Sequence, residues 1–369
     1  MDGNKLNLKL YYLRSLLSIR TYFVVLRKVL NEPSVYPEKE RKSKTKRLKD
    51  NLLWLIRNHE VNRYYNTYGL DIVGFRNPSD FIPFRRFAIE RDSANLKHIV
   101  DGYNGYNRIC ILRDKALFAA FIRETIGSQY AVPVIANTSG RNAYVFRRGM
   151  MPVLTLLEER KEKPTILKKV NGECGDGIYL LENVSGAWYV NREKIDINNF
   201  LQNIESSEYI IQDKVVQHEV LDAINPSCVN TIRFVTIVNK QGKAQIFAHF
   251  LRVGAGNAVK DNRATGGYAV NILEDGTLSG RAIGHRDTIW KHPDTGVVFD
   301  GYKLPFWKEV VDLVCRAHEQ MPEIKSIGWD VAITPDGPIL IEGNDNWEIC
   351  GPQDTAGGLK KKWQELNNM

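Results

Sequence analysis

Apolar positions in residues 5–70 recur at roughly helical spacing, carried mainly by Leu, Tyr and Ile, and this predicts helices. One proline-marked break, over 31–37, divides them. Residues 71–92 lose the pattern. Pro78 and Pro83, with Phe81, Phe84, Arg85, Arg86 and Phe87, predict a connector packed on the next lobe. A helix is expected over 113–126, then a short strand over 131–135, which Pro133 would confine to a sheet edge. From residue 164 the character changes to strands with glycine turns: 165–170, 178–182, 209–216, 231–239, 243–253 and 268–273. Helical spacing returns over 195–204 and 306–320. Two last apolar runs, within 327–346, flank Pro335, Asp336 and Gly337, a turn signal that makes them a hairpin. Hairpins with separate helices indicate an α+β fold with mostly antiparallel sheets, not a doubly wound one.

That last hairpin carries chemistry. Folded about Asp336, it sets Asp330 opposite Glu342. Asp330, Glu342 and Asn344 then share one parity and one face of the sheet. Two facing carboxylates repel. A hard cation removes that cost and takes the same oxygens as ligands, so the pattern predicts a Mg²⁺ site, and Mg²⁺ usually arrives with phosphates.

A phosphate-handling segment lies upstream. Over 165–181 a strand ends in Lys168 and Lys169, a loop carries Gly172, Gly175 and Gly177, and a second strand leaves. Glycines let backbone N–H groups turn toward an anion, and the lysines add charge. No Gly-Lys-Ser/Thr opens a helix here, so it is not a P-loop. Alone, such a loop is a plain β-turn; its value comes from order. Asp114 and Lys115 precede it at a helix head. A strand broken by Gln212, Asp213 and Lys214 follows, and Lys214 and Val215 are well placed to offer backbone groups to an adenine ring. Then come Asn230, Thr231, Ile232 and Arg233, and after them Arg252. The two arginines end neighbouring strands on the side away from their turn, which puts two permanently charged forks together.

This ordered set resembles the ATP-grasp superfamily over roughly residues 108–350. The segments SCVNTIRFVT, FLRVGAG and GWDVAITPDGPILIEGN look like its sugar-transfer-associated branch, whose members are associated with polysaccharide assembly. The resemblance implies an ATP-grasp fold, two α+β lobes clamping ATP, here behind a helical amino-terminal region. It implies Lys115 and Lys168 on the ATP phosphates and a lid over 172–177. Gln212, Asp213, Lys214 and Val215 would lie at the adenine, with Asp330, Glu342 and Asn344 on Mg²⁺. Asn230, Arg233 and Arg252 would stand at the reacting groups. The expected division is 1–92 for the helical region and connector, 93–160 for a first lobe, 161–216 for the lid subdomain and 217–369 for the metal and substrate subdomain. Two features depart from the family pattern. Lys169 stands where a proline often follows the lysine, and the amino-terminal lobe reads as helical where many relatives are α/β.

The resemblance also implies a reaction. A carboxylate is activated as an acylphosphate and an amine displaces the phosphate, with lysines and Mg²⁺ neutralising the phosphoryl group. The substrates would be a small or sugar-linked carboxylate and an amine, in the synthesis of a surface polysaccharide. The alternatives are a phosphotransferase acting on a sugar hydroxyl and a non-catalytic nucleotide-binding partner of a glycosyltransferase. His218, His249 and His285 are available as bases.

Composition adds limits. A chain of 369 residues, 43% hydrophobic, has room for two or three lobes of an ordinary soluble protein. The five cysteines are scattered, which suits a reducing cytosol better than a disulfide framework or a zinc site. The first thirty residues do not read as a signal peptide, and no run is long enough to span a membrane. The net charge is +8, much of it in EKERKSKTKRLK at 38–49. Nucleic acid is not indicated, because no aromatic side chains interleave with that charge. A solvated helix or linker explains the run. Peripheral contact with an anionic membrane is the other reading, because residues 5–30 mix apolar and basic side chains at helical spacing.

Overall fold

The computed structural model describes residues 19–96, 108–172, 175–263 and 266–368. Its strands fall into two antiparallel sheets. The first contains β1 (Val134–Ser139), β2 (Asn142–Val145), β3 (Gly149–Pro152), β4 (Thr165–Lys169), β5 (Ile178–Val184), β6 (Ala187–Val190), β7 (Glu193–Lys194) and β8 (Tyr209–Asp213), in the order β3-β2-β1-β8-β4-β5-β6-β7. The second contains β9 (Ile232–Val238), β10 (Ala244–Val253), β11 (Tyr268–Ile272), β12 (Leu278–Ile283), β13 (Thr288–Ile289), β14 (Ser326–Thr334) and β15 (Gly337–Asn344). Its order is β13-β12-β11-β10-β9-β14-β15. The α+β expectation holds.

Each sheet buries one face beneath helices and turns part of the other toward a cleft. In β4, Leu167 packs against Leu156, Leu157 and Leu201 from helices Val153–Glu159 and Ile197–Ile204, while Ile166 and Lys168 face the cleft. In the second sheet, Phe234, Leu251 and Trp329 pack with Val310, Leu313 and Val314 of helix Trp307–Glu319. Arg233, Arg252 and Asp330 alternate with them and face the cleft.

Several elements differ from the sequence expectation. The strand after Pro133 is internal: β1 lies between β2 and β8, because the proline stands just before it and removes no ladder hydrogen bond. Strands β1, β2 and β3 share a sheet with β4–β8, so the expected boundary at 160/161 falls inside one sheet. The strand expected over 209–216 ends at Asp213. In the amino-terminal region, helices Ile19–Asn31 and Lys44–Asn58 are followed by turns rather than more helix. The region expected as a connector contains the short 3₁₀ turn Pro78–Asp80 and the start of a helix, Phe84–Asn95, whose Phe87 packs edge-on to Trp347 and Trp363. Residues 5–18 of the expected amphipathic segment lie outside the described residues, as does Cys174 of the glycine loop.

The helical region is bolted to the second sheet's carboxy-terminal helix, Cys350–Ala356. The buried Gln353 accepts from the Ile82 amide at 2.7 Å and donates to the Tyr68 hydroxyl at 3.0 Å. Arg76 donates to the Asp354 carbonyl at 3.1 Å. Among the described residues no helix is long and apolar enough to cross a membrane.

Candidate active site

A cavity of about 840 Å³ lies between the cleft faces of the two sheets. Lys115, Lys168, Gly172, Gly175, Gln212, Asp213, Lys214, Val215, Arg233, Arg252, Asp330, Glu342 and Asn344 all line it. The chain brings these distant positions together through strand alternation, and through three local devices.

The first is the β14–β15 hairpin. Thr334 pairs with Gly337, so the loop holds only Pro335 and Asp336. That register, run outward, would set Asp330 against Ile341. A bulge intervenes: Val331 pairs with Leu340 but Asp330 pairs with Glu342, and Gly328 pairs with Asn344. The one extra residue restores the facing carboxylates and turns Ile341 into cavity wall.

The second is the glycine loop. Gly175 and Gly177 have φ of +77° and +64°, where a side chain is strained. A Cβ on Gly172 would come within 2.5 Å of the Asp176 carbonyl oxygen. The loop is tied from both sides: Lys115 donates to the Gly172 carbonyl at 2.6 Å, and Lys260, from the β10–β11 connection, donates to the Gly175 carbonyl.

The third is the helix head. Asp114 caps helix Lys115–Thr125, accepting from the amides of Ala116 at 2.8 Å and Leu117 at 3.0 Å, and so aims Lys115 at the loop.

Electrostatics divide the carboxylates. Burial opposes ionisation of Asp330, but Arg233 and Arg252 outweigh it and hold its carboxyl below the usual range. Arg233 grips it with Nε at 2.5 Å and Nη2 at 3.1 Å; Arg252 adds Nη2 at 3.0 Å. Burial and the neighbouring Asp330 push Glu342 the other way, upward. Burial lowers the Lys168 pKa, with Lys115 adding repulsion and the two carboxylates offsetting part of it. Lys169, one residue on, points away and pairs with Asp176 at 4.0 Å.

Two expected roles meet a different arrangement. Asn230 is buried and is not among the residues lining the cavity. Its amide nitrogen donates to the Asn225 carbonyl at 2.9 Å and to the Gln217 side chain at 3.1 Å, and its side-chain oxygen accepts from the Gly254 amide at 3.2 Å. With its side chain satisfied by the protein, it shapes the loop after β10 and does not reach the cleft. The Lys214 amide already donates to the Pro164 carbonyl at 3.3 Å, so its N–H is taken within the protein. Among the histidines, His218 caps a short helix through its ring, accepting from the Val220 amide at 3.1 Å. His249 is buried against Phe234 and Trp307, and burial lowers its pKa to about 4. His285 alone of the three lines the cavity.

The family described as sugar-transfer-associated ATP-grasp matches residues 97–368. The chain belongs to that family. No curated protein sequence matches it. Solved structures similar to it include an N5-carboxyaminoimidazole ribonucleotide synthetase with ADP, at 11% identity and TM-score 0.37 over 63% of this chain and 45% of the other. The Staphylococcus aureus N5-carboxyaminoimidazole synthetase with ADP is 12% identical with TM-score 0.39, over 69% of this chain and 50% of the other. An L-amino acid ligase from Bacillus licheniformis is 12% identical with TM-score 0.32, over 63% and 40%. The chain therefore spans half or less of the length of each of these three proteins.

The ATP-grasp cleft also contains groups that the sequence reading passed over. Asp261 accepts from the Thr231 amide at 2.9 Å and pairs with Arg252 at 3.2 Å, so it fixes that arginine from behind. Arg263 pairs with the buried Asp354 at 2.6 Å. Lys260, Asp261 and Arg263 sit together in the β10–β11 connection, and that density of charge among glycines was the available signal. Arg63, Tyr64 and Thr67 bring the helical region to the same cavity, and nothing in their local sequence announces it.

Proposed function

We propose that the chain is an ATP- and Mg²⁺-dependent ligase that joins a carboxylate to an amine through an acylphosphate. Its place is in assembly of a surface polysaccharide (capsule, O-antigen or exopolysaccharide), with an amino acid or amine joined to a sugar carboxylate. The observation that carries this reading is the convergence on one cavity of Lys115, Lys168, the glycine loop and the Asp330, Glu342, Asn344 set.

The donor set fits a hard cation. Two carboxylates face each other, one of them held protonation-prone by burial and by the other, and an amide side chain stands beside them. Asp330, Glu342 and Asn344 would hold Mg²⁺, which would neutralise negative charge on the ATP phosphates. Lys168 and Lys115 bind phosphate oxygens. Gly172 and Gly175 let the loop backbone approach them. Ile166, Ile178, Leu180 and Ile341 supply apolar walls for the base, with Val215 at its edge.

Arg233 and Arg252 keep Asp330 ionised and oriented. Nη1 of each makes no hydrogen bond among the described residues and is left for the acceptor carboxylate. The carboxylate oxygen attacks the γ-phosphorus and ADP leaves. The amine nitrogen then attacks the acyl carbon, phosphate departs, and the nitrogen loses a proton. A cytoplasmic location, peripheral at the inner membrane face, belongs to this reading, supported by the scattered cysteines.

Hydroxylamine tests this directly. With ATP, Mg²⁺ and a suitable uronic or amino acid, it should intercept the acylphosphate and yield a hydroxamate, identified by mass spectrometry. A stable phosphoester with no hydroxamate from any active substrate would replace the ligase by a phosphotransferase.

A further inference from the structure

Helix Lys44–Asn58 is inside out. Arg47, Asn51 and Trp54 are its buried residues, and Arg47 donates to the Leu30 carbonyl at 3.0 Å. Four of its aliphatic side chains face outward: Leu48, Leu52, Leu53 and Ile56 are 36%, 41%, 37% and 68% exposed. Leu48, Leu52 and Ile56 stand four apart and form one stripe along the helix, with Leu53 three residues from Ile56 at its side and Lys49 between them. The adjoining helix Ile19–Asn31 adds Phe23 and Val24, each 62% exposed. A helix selected for water alone would show the reverse pattern, and contiguous apolar surface of this kind marks a contact.

The charges around the stripe say what kind. On helix Lys44–Asn58 the exposed charged side chains are Lys44, Lys46, Lys49 and Arg57. Its one acidic residue, Asp50, is turned onto Lys42 at 2.9 Å and Tyr65 at 2.9 Å and also pairs with Lys46 at 3.3 Å. Arg27 and Lys28 extend the basic rim on the first helix. An apolar stripe bounded by cations is the pattern of a helix lying in a lipid interface, leucines among the acyl chains and lysines at the headgroups.

We propose that this face, built from helices Ile19–Asn31 and Lys44–Asn58, docks on an anionic lipid bilayer. Lys28 and Glu32, at the end of the first helix, also line the catalytic cavity. Docking therefore sets the cleft beside the headgroups, where a lipid-linked acceptor would be presented. That consequence rests on the ligase reading; the docking does not.

The test uses the full chain with vesicles of phosphatidylcholine, with and without phosphatidylserine. Binding should require phosphatidylserine and weaken as salt rises. Leu52→Gln with Ile56→Gln should reduce partition about tenfold. Lys44→Gln, Lys49→Gln and Arg57→Gln together should reduce it about a hundredfold, each cation being worth about fivefold near an anionic surface. Unchanged circular dichroism and unchanged affinity for a non-hydrolysable ATP analogue show that the variants are folded. Nucleotide affinity in the wild type separately reports on the cleft. Vesicle binding absent at low salt, or equal in both variants, overturns the proposal. So does a wild-type dimer that Leu52→Gln with Ile56→Gln dissociates, which would make the face an interface between copies.

Discussion

Replacing Lys168 with Met is expected to weaken nucleotide binding while leaving the fold as stable as before, or more so. The two effects part company because of where the ammonium sits. Lys168 has no ion pair or hydrogen bond from its side chain among the described residues, and desolvation lowers its pKa. Lys115 adds repulsion, and Glu342 and Asp330 recover part of the cost. Methionine keeps the apolar stem and removes the charge, so the free protein loses no partner and is relieved of a desolvated cation. The nucleotide complex loses a phosphate contact. A hydrogen bond to a charged group is worth about 1.5–3 kcal/mol, so Kd should rise about 10- to 150-fold. Calorimetry with ADP and Mg²⁺ gives the affinity, and thermal unfolding without nucleotide gives the stability. Lys169→Met is the control: its one ion pair among the described residues is the half-exposed 4.0 Å contact to Asp176, worth about 0–1 kcal/mol. Equal affinity losses at both positions, or a lower Tm with unchanged affinity at Lys168, would refute the reasoning.

Glu342→Gln should nearly abolish ATP turnover in a folded protein, because it removes one of two facing carboxylates; wild-type turnover would remove the metal site from the argument. Lys260→Met cuts the tie between the second sheet and the Gly175 carbonyl, so KM for ATP should rise more than Tm falls, and steady-state kinetics beside a melt would show it. Arg252→Ala should suppress hydroxamate formation more than it weakens ATP binding; a parallel fall in both would make Arg252 a nucleotide contact. Burial holds the His318 pKa at about 4, with Nδ1 2.6 Å from the Thr236 hydroxyl and Nε2 2.8 Å from the Ile324 carbonyl. The unfolded chain takes up this proton near 6.5, so the stability contributed by neutral His318 is full above about 6.5 and is lost as pH falls toward 4, by roughly 3 kcal/mol in all. Urea unfolding across that range should therefore show a flatter pH dependence in His318→Gln than in the wild type.

Much of this was legible along the chain. The sequence pattern located β9, β10, β11, β14 and β15 within a residue or two, because long apolar runs bounded by turn residues stand out whether one face or both are buried. Parity put Glu342 and Asn344 on one face of their strand, and put Lys168 and Lys169 on opposite ones, because alternation in a strand is local geometry. The short strands β2, β3, β6 and β7 carry too few residues for a period to show, and the edge placement of the segment after Pro133 failed because pairing depends on which distant strand arrives beside it.

The chain alone therefore determined the donor type at each strand position and the face it takes within its own strand, since identity and spacing settle both. The tertiary structure decided what those groups touch. The bulge at Ile341 re-establishes a carboxylate register that the two-residue turn would have lost by one position, and only the packed sheet selects it. Arg233 and Arg252 converge on Asp330 because β9 lies between β10 and β14, a neighbour relation that spans nearly a hundred residues. Asn230 looks like a site residue in its motif, yet it is spent inside the protein because Gln217, Asn225 and Gly254 close around it. Periodicity can say that a side chain is turned one way. Whether another part of the chain already occupies that space is a non-local property, and only the folded structure resolves it.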